Sequence, residues 1–249
     1  MHSVHSGPLA GLALQAVLLS VLAVTAGLGL LGWAVGLTCG AVTAAFLMRG
    51  LRRAGTAGLG PADWVTLVRA CLIGGVTALV AESFVRPIPL TSLVALSTVA
   101  LILDGVDGQV ARRTNTASQL GALFDQECDA FLILVLSIFV AGIVGWWVVT
   151  LGVARYAYLA ASWAVPWLRI PLPPRYWRKV VAAVQGVVLT VIAAGVLPWA
   201  LSEFLAVGAL VLLAESFGRD IWWQWSRRGT LSGAGSSVIP VSVAPCPCD

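Results

Sequence analysis

Residues 9 to 48 form forty consecutive positions without a charged side chain. About 20 residues of α-helix cross the hydrocarbon layer of a bilayer, so a run of this length holds two transmembrane helices. Backbone groups in lipid must find their hydrogen-bond partners inside the chain, which leaves helices or a closed barrel, and an unbroken apolar run selects helices. The turn between the two falls at Gly27 to Gly32. Gly27-Leu-Gly29-Leu-Leu-Gly32 has the spacing of a dinucleotide-binding loop, but no strand precedes it, so it reads as a turn and a packing surface. Gly32, Gly36 and Gly40 continue as a small-residue stripe that lets helices approach closely, within one chain or between two copies in a homodimer.

The rest of the sequence follows the same pattern. Six further apolar segments, about 63–85, 90–112, 118–145, 146–165, 176–197 and 200–225, read as helices. With 59% hydrophobic and 10% charged residues, and a mean hydropathy of +0.94, the chain lies far from the globular norm of about 25% charged. The expected fold is all-α: a polytopic membrane helix bundle with a six-helix core and two additional N-terminal transmembrane helices. Residues 1–60 hold those two helices and a basic link containing Arg49, Arg52 and Arg53. Residues 61–228 form the core, with Asp63 expected as the N-cap of its first helix, and the Gly-, Ser- and Pro-rich segment 229–249 is expected to be a disordered tail.

Against this apolar background the acidic residues are unevenly placed. Of eleven in the chain, Asp104, Asp107, Asp125, Glu127 and Asp129 fall within 26 positions. Residues three or four apart share a helix face, so Asp104, Asp107, Gly108 and Ala111 lie along one side of one helix, and Gly121, Asp125 and Asp129 along one side of the next. Glu127 is about 200° from Asp125 around its helix and points elsewhere. A short turn near Arg112 to Ser118 lets the two faces oppose each other and brings four carboxylates together. Anions that close stay ionised only around cations, and oxygen-only donors suit Mg²⁺, Mn²⁺ or Ca²⁺. His2 and His5 are the only histidines and sit at the terminus, so a general base in the membrane region has to be a carboxylate or, less readily, a Tyr, Cys or Lys. Serine and cysteine hydrolase triads, which need a positioned His, are excluded on the same ground.

The motif Asp104-x2-Asp107-Gly108-x2-Ala111-Arg112-x8-Gly121-x3-Asp125-x3-Asp129 resembles the signature of the CDP-alcohol phosphotransferase family at all eight defined positions. The family's first helix usually opens Pro-Asn-x2-Thr-x2-Arg; Thr66 and Arg69 match, while Asp63 stands for Asn and Ala62 for Pro. A later Gly-Lys-x2-Thr-x2-Gln pattern is kept only at Lys179 and Gln185. This resemblance implies transfer of a substituted phosphate from a CDP-alcohol, chiefly CDP-diacylglycerol, to an alcohol acceptor with release of CMP, in phospholipid biosynthesis. It implies Asp129 as the catalytic base and Asp104, Asp107, Asp125 and Asp129 as ligands of Mg²⁺ or Mn²⁺. Asp63, Thr66, Asp107, Gly108, Ala111, Arg112 and Gly121 would border the CDP moiety.

Arg155 lies within an apolar helix, where a charge ordinarily faces a cavity or a partner, and Lys179 follows on the next helix. Two cations beside the site point to acceptor binding and to a phosphate on the acceptor, as in a phosphorylated polyol. Other basic residues report orientation. With the N-terminus inside, twelve of the fifteen fall in inner loops and only Arg86 in an outer one, which puts the acidic motif at the cytoplasmic face of the cell membrane. The expected partners are a CDP-alcohol, an alcohol acceptor and the bilayer; nucleic acid is not among them. An Asp-rich intramembrane prenyltransferase would present two separated acidic clusters where this chain has one, and an ion-coupled transporter would use the carboxylates as cation sites.

Overall fold

Glycines with positive φ, Gly27, Gly145 and Gly195, mark three of the breaks between helices. The computed structural model describes residues 6–54, 61–114, 119–169 and 176–227. Among the described residues eight α-helices follow in sequence: α1 (Ser6–Ala26), α2 (Leu30–Ala54), α3 (Pro61–Ser83), α4 (Leu90–Thr114), α5 (Gln119–Val144), α6 (Val149–Ala164), α7 (Tyr176–Ala193) and α8 (Trp199–Ser226). Short 3₁₀ turns at Trp146–Val148 and Pro166–Arg169 flank α6. No strand occurs among the described residues. Five of the helices, α1, α2, α3, α5 and α8, are long and apolar enough to cross a membrane, and the apolar part of α4, Leu90–Val106, is shorter because the acidic motif begins there. The fold is the all-α multi-pass bundle expected, two helices preceding six.

Helix α3 lies at the centre, packed against α1, α2, α4 and α5. Helix α5 joins this group to α6 and α7, and α8 packs mainly on α7. The core is aliphatic: Leu67, Ile73, Val76 and Leu79 of α3 meet Leu93 of α4, Leu132 and Leu136 of α5, and Leu189 and Ile192 of α7, all almost wholly buried. Large apolar side chains such as Val24, Phe204 and Val211 stay exposed, as they should when the surrounding solvent is lipid. Gly152 lets α6 approach α5 closely; a Cβ there would lie 2.7 Å from the Ser137 hydroxyl oxygen.

Several expectations need correction. Arg49, Arg52 and Arg53 belong to α2, which runs on through Ala54, so the basic residues extend a helix and do not form a link. Asp63 is inside the first turn of α3, not at its N-cap, because Pro61, whose fixed φ suits a first helical position, starts the helix two residues earlier. Helix α7 stops at Ala193, four residues short of Leu197, since Gly195 takes a left-handed conformation (φ +68°). The fourth core segment does not begin as α-helix at Trp146 but as a 3₁₀ turn. His2, His5, the segment 55–60 and the tail lie outside the described residues.

The two N-terminal helices are built into the bundle. Gly27 turns the chain with φ +66°. Gly36 of the small-residue stripe faces Leu19 of α1 and Ala78 of α3, and Gly40 faces Gln15, so within the chain the stripe serves helix packing. At the same end, the backbone N–H of Gly32 donates to the carboxylate of buried Glu82 at 2.9 Å, and Arg86 pairs with that carboxylate.

Candidate active site

Asp104, in the fourth turn of α4, and Asp125 and Asp129, one turn apart on α5, converge. One carboxylate oxygen from each lies within 4.8 Å of the other two. Behind them, α3 supplies Arg69, whose side chain is fully buried. Its Nη1 stands 3.0 Å from Asp104 Oδ1 and also pairs with Asp125, while Nη2 pairs with Asp129. The guanidinium fork matches this task because it presents several N–H donors in one plane, which an ammonium cannot. Arg69 pairs with all three carboxylates at once, and that attraction offsets their mutual repulsion. One cation against three anions still leaves the cluster negative.

Exposure shows where that charge is directed. Arg69 is sealed inside, but Asp104, Asp125 and Asp129 keep 33%, 23% and 29% of their side-chain surface accessible. The cluster is therefore backed by protein and open on one side. Its donors are oxygens only, held close together and anionic, which fits a hard divalent cation such as Mg²⁺ or Mn²⁺. Lys179, exposed near the start of α7, acts electrostatically on Asp104.

The remaining candidate residues are distributed around this centre. Thr66 is buried one turn before Arg69 on α3, with Asp63 half-buried a turn further back. Gly121 is half-buried one turn before Asp125 on α5. Helix α4 continues through Thr114, but the side chains of Asp107, Gly108, Ala111 and Arg112 lie outside the described residues. Arg155 of α6 pairs with Glu127 of α5, so the charge inside an apolar helix is answered by the one acidic residue of the motif that faces away from the cluster. Arg69 was not among the candidate site residues. Its signal was present in Thr66-x2-Arg69, where the helix's single basic residue stands within a membrane-spanning segment and requires an acidic partner.

Comparison with protein families matches residues 60–215 to the CDP-alcohol phosphatidyltransferases, a span that contains every helix bearing the cluster. The chain belongs to the CDP-alcohol phosphatidyltransferase family. It is 40% identical over 77 residues to ethanolaminephosphotransferase 1 of Homo sapiens, covering 27% of this chain and 19% of that protein. It is 37% identical over 90 residues to a candidate cardiolipin synthase of Mycobacterium tuberculosis, covering 34% of this chain and 43% of that one. The chain thus spans less than half the length of either relative. No solved structure matches it.

Proposed function

We propose that this chain transfers a substituted phosphate from a CDP-alcohol, with CDP-diacylglycerol as the first choice, to an alcohol acceptor and releases CMP. The observation that carries this reading is the convergence of Asp104, Asp125 and Asp129 around one buried arginine, open on a single side. Asp129 is assigned as the base: it takes the proton of the acceptor hydroxyl as that oxygen bonds to phosphorus and the bond from phosphorus to the CMP oxygen breaks. Asp104, Asp125 and Asp129, with Asp107 from the same helix as Asp104, would hold Mg²⁺ or Mn²⁺. When bound, that ion neutralises the pyrophosphate and the departing CMP. Arg69 keeps Asp125 and Asp129 in register on one side of α5, so it positions the base without reaching the substrate. Asp63, Thr66, Gly108, Ala111, Arg112 and Gly121 are assigned to the CDP moiety.

The acceptor in this reading carries a phosphate. Lys179 is the cation that would meet it, because it stands within electrostatic reach of Asp104 and is exposed. Arg155 pairs with Glu127 on the side of α5 away from the cluster, so recognition of the acceptor phosphate rests on Lys179. The arginine distribution supports a site on the cytoplasmic side of the cell membrane. The decisive experiment supplies purified protein with CDP-diacylglycerol, Mg²⁺ or Mn²⁺ and a panel of alcohols, and reads CMP and lipid product together. CMP and product formed in equal amounts with one acceptor class would bear the proposal out. Absence of CMP with every acceptor and both metals would end it.

A further inference from the structure

A cavity of about 420 Å³ opens between α2, α3, α5 and α6, on the side of α5 away from Asp125 and Asp129. Val42 and Phe46 of α2, Ile73 of α3, and Phe124 and Phe131 of α5 form its apolar wall, and Glu127 is its charged member. Phe46 stacks on Phe124 with ring centroids 5.6 Å apart, which joins the α2 wall to α5. Because α2 precedes residue 60, this wall comes from a part of the chain outside the matched family segment.

Two observations bear on what fills the space. Three of its four walls, α2, α3 and α5, are long and apolar enough to cross a membrane, and its lining is mostly apolar apart from Thr38, Thr43, Glu127 and Tyr156, so the space suits hydrocarbon better than water. Then there is the rim. Glu127 pairs there with Arg155, and both stay partly accessible, at 39% and 30% of their side chains. Arg155 Nε is buried and has no hydrogen-bond partner among the described residues. The Nε stays enclosed, but the accessible part of the guanidinium, beside Glu127 on the cavity lining, can donate a hydrogen bond to a phosphate or ester oxygen. The Glu127–Arg155 pair is neutral as a whole. A headgroup carrying both phosphate and ammonium complements it, phosphate toward Arg155 and ammonium toward Glu127, whereas a purely anionic headgroup would meet the Glu127 carboxylate.

We propose that this cavity binds one acyl chain of a zwitterionic aminophospholipid whose headgroup sits on the Glu127–Arg155 pair, as a lipid site separate from the carboxylate cluster. The lipid would bridge the N-terminal helices to the core.

The test is lipid retention by the full chain. Purified protein is delipidated in detergent, then offered phosphatidylethanolamine or phosphatidylglycerol with the same acyl chains in mixed micelles, and the retained lipid is counted by native mass spectrometry. One phosphatidylethanolamine per chain is expected, bound at least about tenfold more tightly than phosphatidylglycerol, with a matching rise in Tm as binding favours the folded state. Val42→Trp should fill the cavity from its open side, Val42 being 63% exposed, and should cut retention about tenfold while CMP release persists. Equal retention of the two lipids by wild-type protein overturns the headgroup assignment, and that arm needs no variant. Unchanged retention in folded Val42→Trp overturns the cavity assignment. Retention is read without turnover, so failure of the proposed transfer chemistry leaves this result interpretable.

Discussion

Helix α5 carries two acidic sites facing opposite ways, and each meets an arginine from a neighbouring helix. Asp125 and Asp129 share fully buried Arg69 with Asp104, whereas Glu127 has Arg155 in a partly exposed pair. The residue types are the same and the stoichiometry is not. A one-to-one pair is electrically closed and needs no further ion. Three carboxylates on one guanidinium remain anionic, so the first site can recruit a divalent cation and the second cannot. Burial sharpens the contrast, since a charge sealed from water depends wholly on its partners, while an exposed one can fall back on solvent.

The largest effect that tests this contrast is expected at Asp129. Asp129→Asn should lower CMP release by about 10² to 10⁴-fold, the range for a positioned base, while nucleotide binding persists and metal binding, still supported by the other carboxylates, is only partly reduced. Asp104→Asn and Asp125→Asn should weaken metal binding as well, measured by titration calorimetry. Full activity in Asp129→Asn would remove the base from the proposed chemistry.

Next come the two arginines. Arg69→Ala leaves carboxylates without their buried counter-charge and should cost about 3 to 5 kcal/mol of stability. Part of that loss should return on adding Mg²⁺. Arg155→Ala, at a partly exposed pair, should cost about 1 kcal/mol or less and show no response to Mg²⁺. Thermal unfolding with and without the ion reads both, and equal losses for the two variants would show that stoichiometry and burial do not separate the sites.

A smaller effect is expected at Lys179. Lys179→Ala should raise KM for a phosphorylated acceptor by about tenfold, the loss of one charge-assisted contact, with KM for CDP-diacylglycerol little changed. Steady-state kinetics with each substrate varied in turn checks this. Smallest of all, Glu127→Gln should change CMP release by less than about threefold, since its carboxylate faces away from the cluster; a dead variant would mean that both sides of α5 serve the chemistry.

Much of this arrangement was legible before any coordinates. Apolar length gave the number of helices, because the bilayer imposes a minimum span, and the four-residue spacing of Gly121, Asp125 and Asp129 gave their common face. The same periodicity turned Glu127 away, and the structure places it there. What periodicity does not hold is the identity of the neighbour. The phase of α5 says that Glu127 and Asp129 face different directions, but only packing decides that α6 brings Arg155 to one and α3 brings Arg69 to the other. The start of α3 differs from the one expected at Asp63 for a related reason: a capping side chain and a proline two residues earlier each mark a helix start, and here the proline begins the helix.

The Glu82 contact with the backbone of Gly32 has a mechanical side. It fixes α2 at one end, and Phe46, on the cavity wall, is fourteen residues along the same helix, roughly 21 Å away at 1.5 Å per residue. Any tilt of α2 about that anchor would be magnified along the helix. A swing of about 5° around Gly32 carries Phe46 by about 2 Å, enough to part its ring from Phe124. The Glu82 hydrogen bond and the packing of α2 along α1 and α3 therefore hold in place the helix that walls the cavity, from an anchor about 21 Å from Phe46.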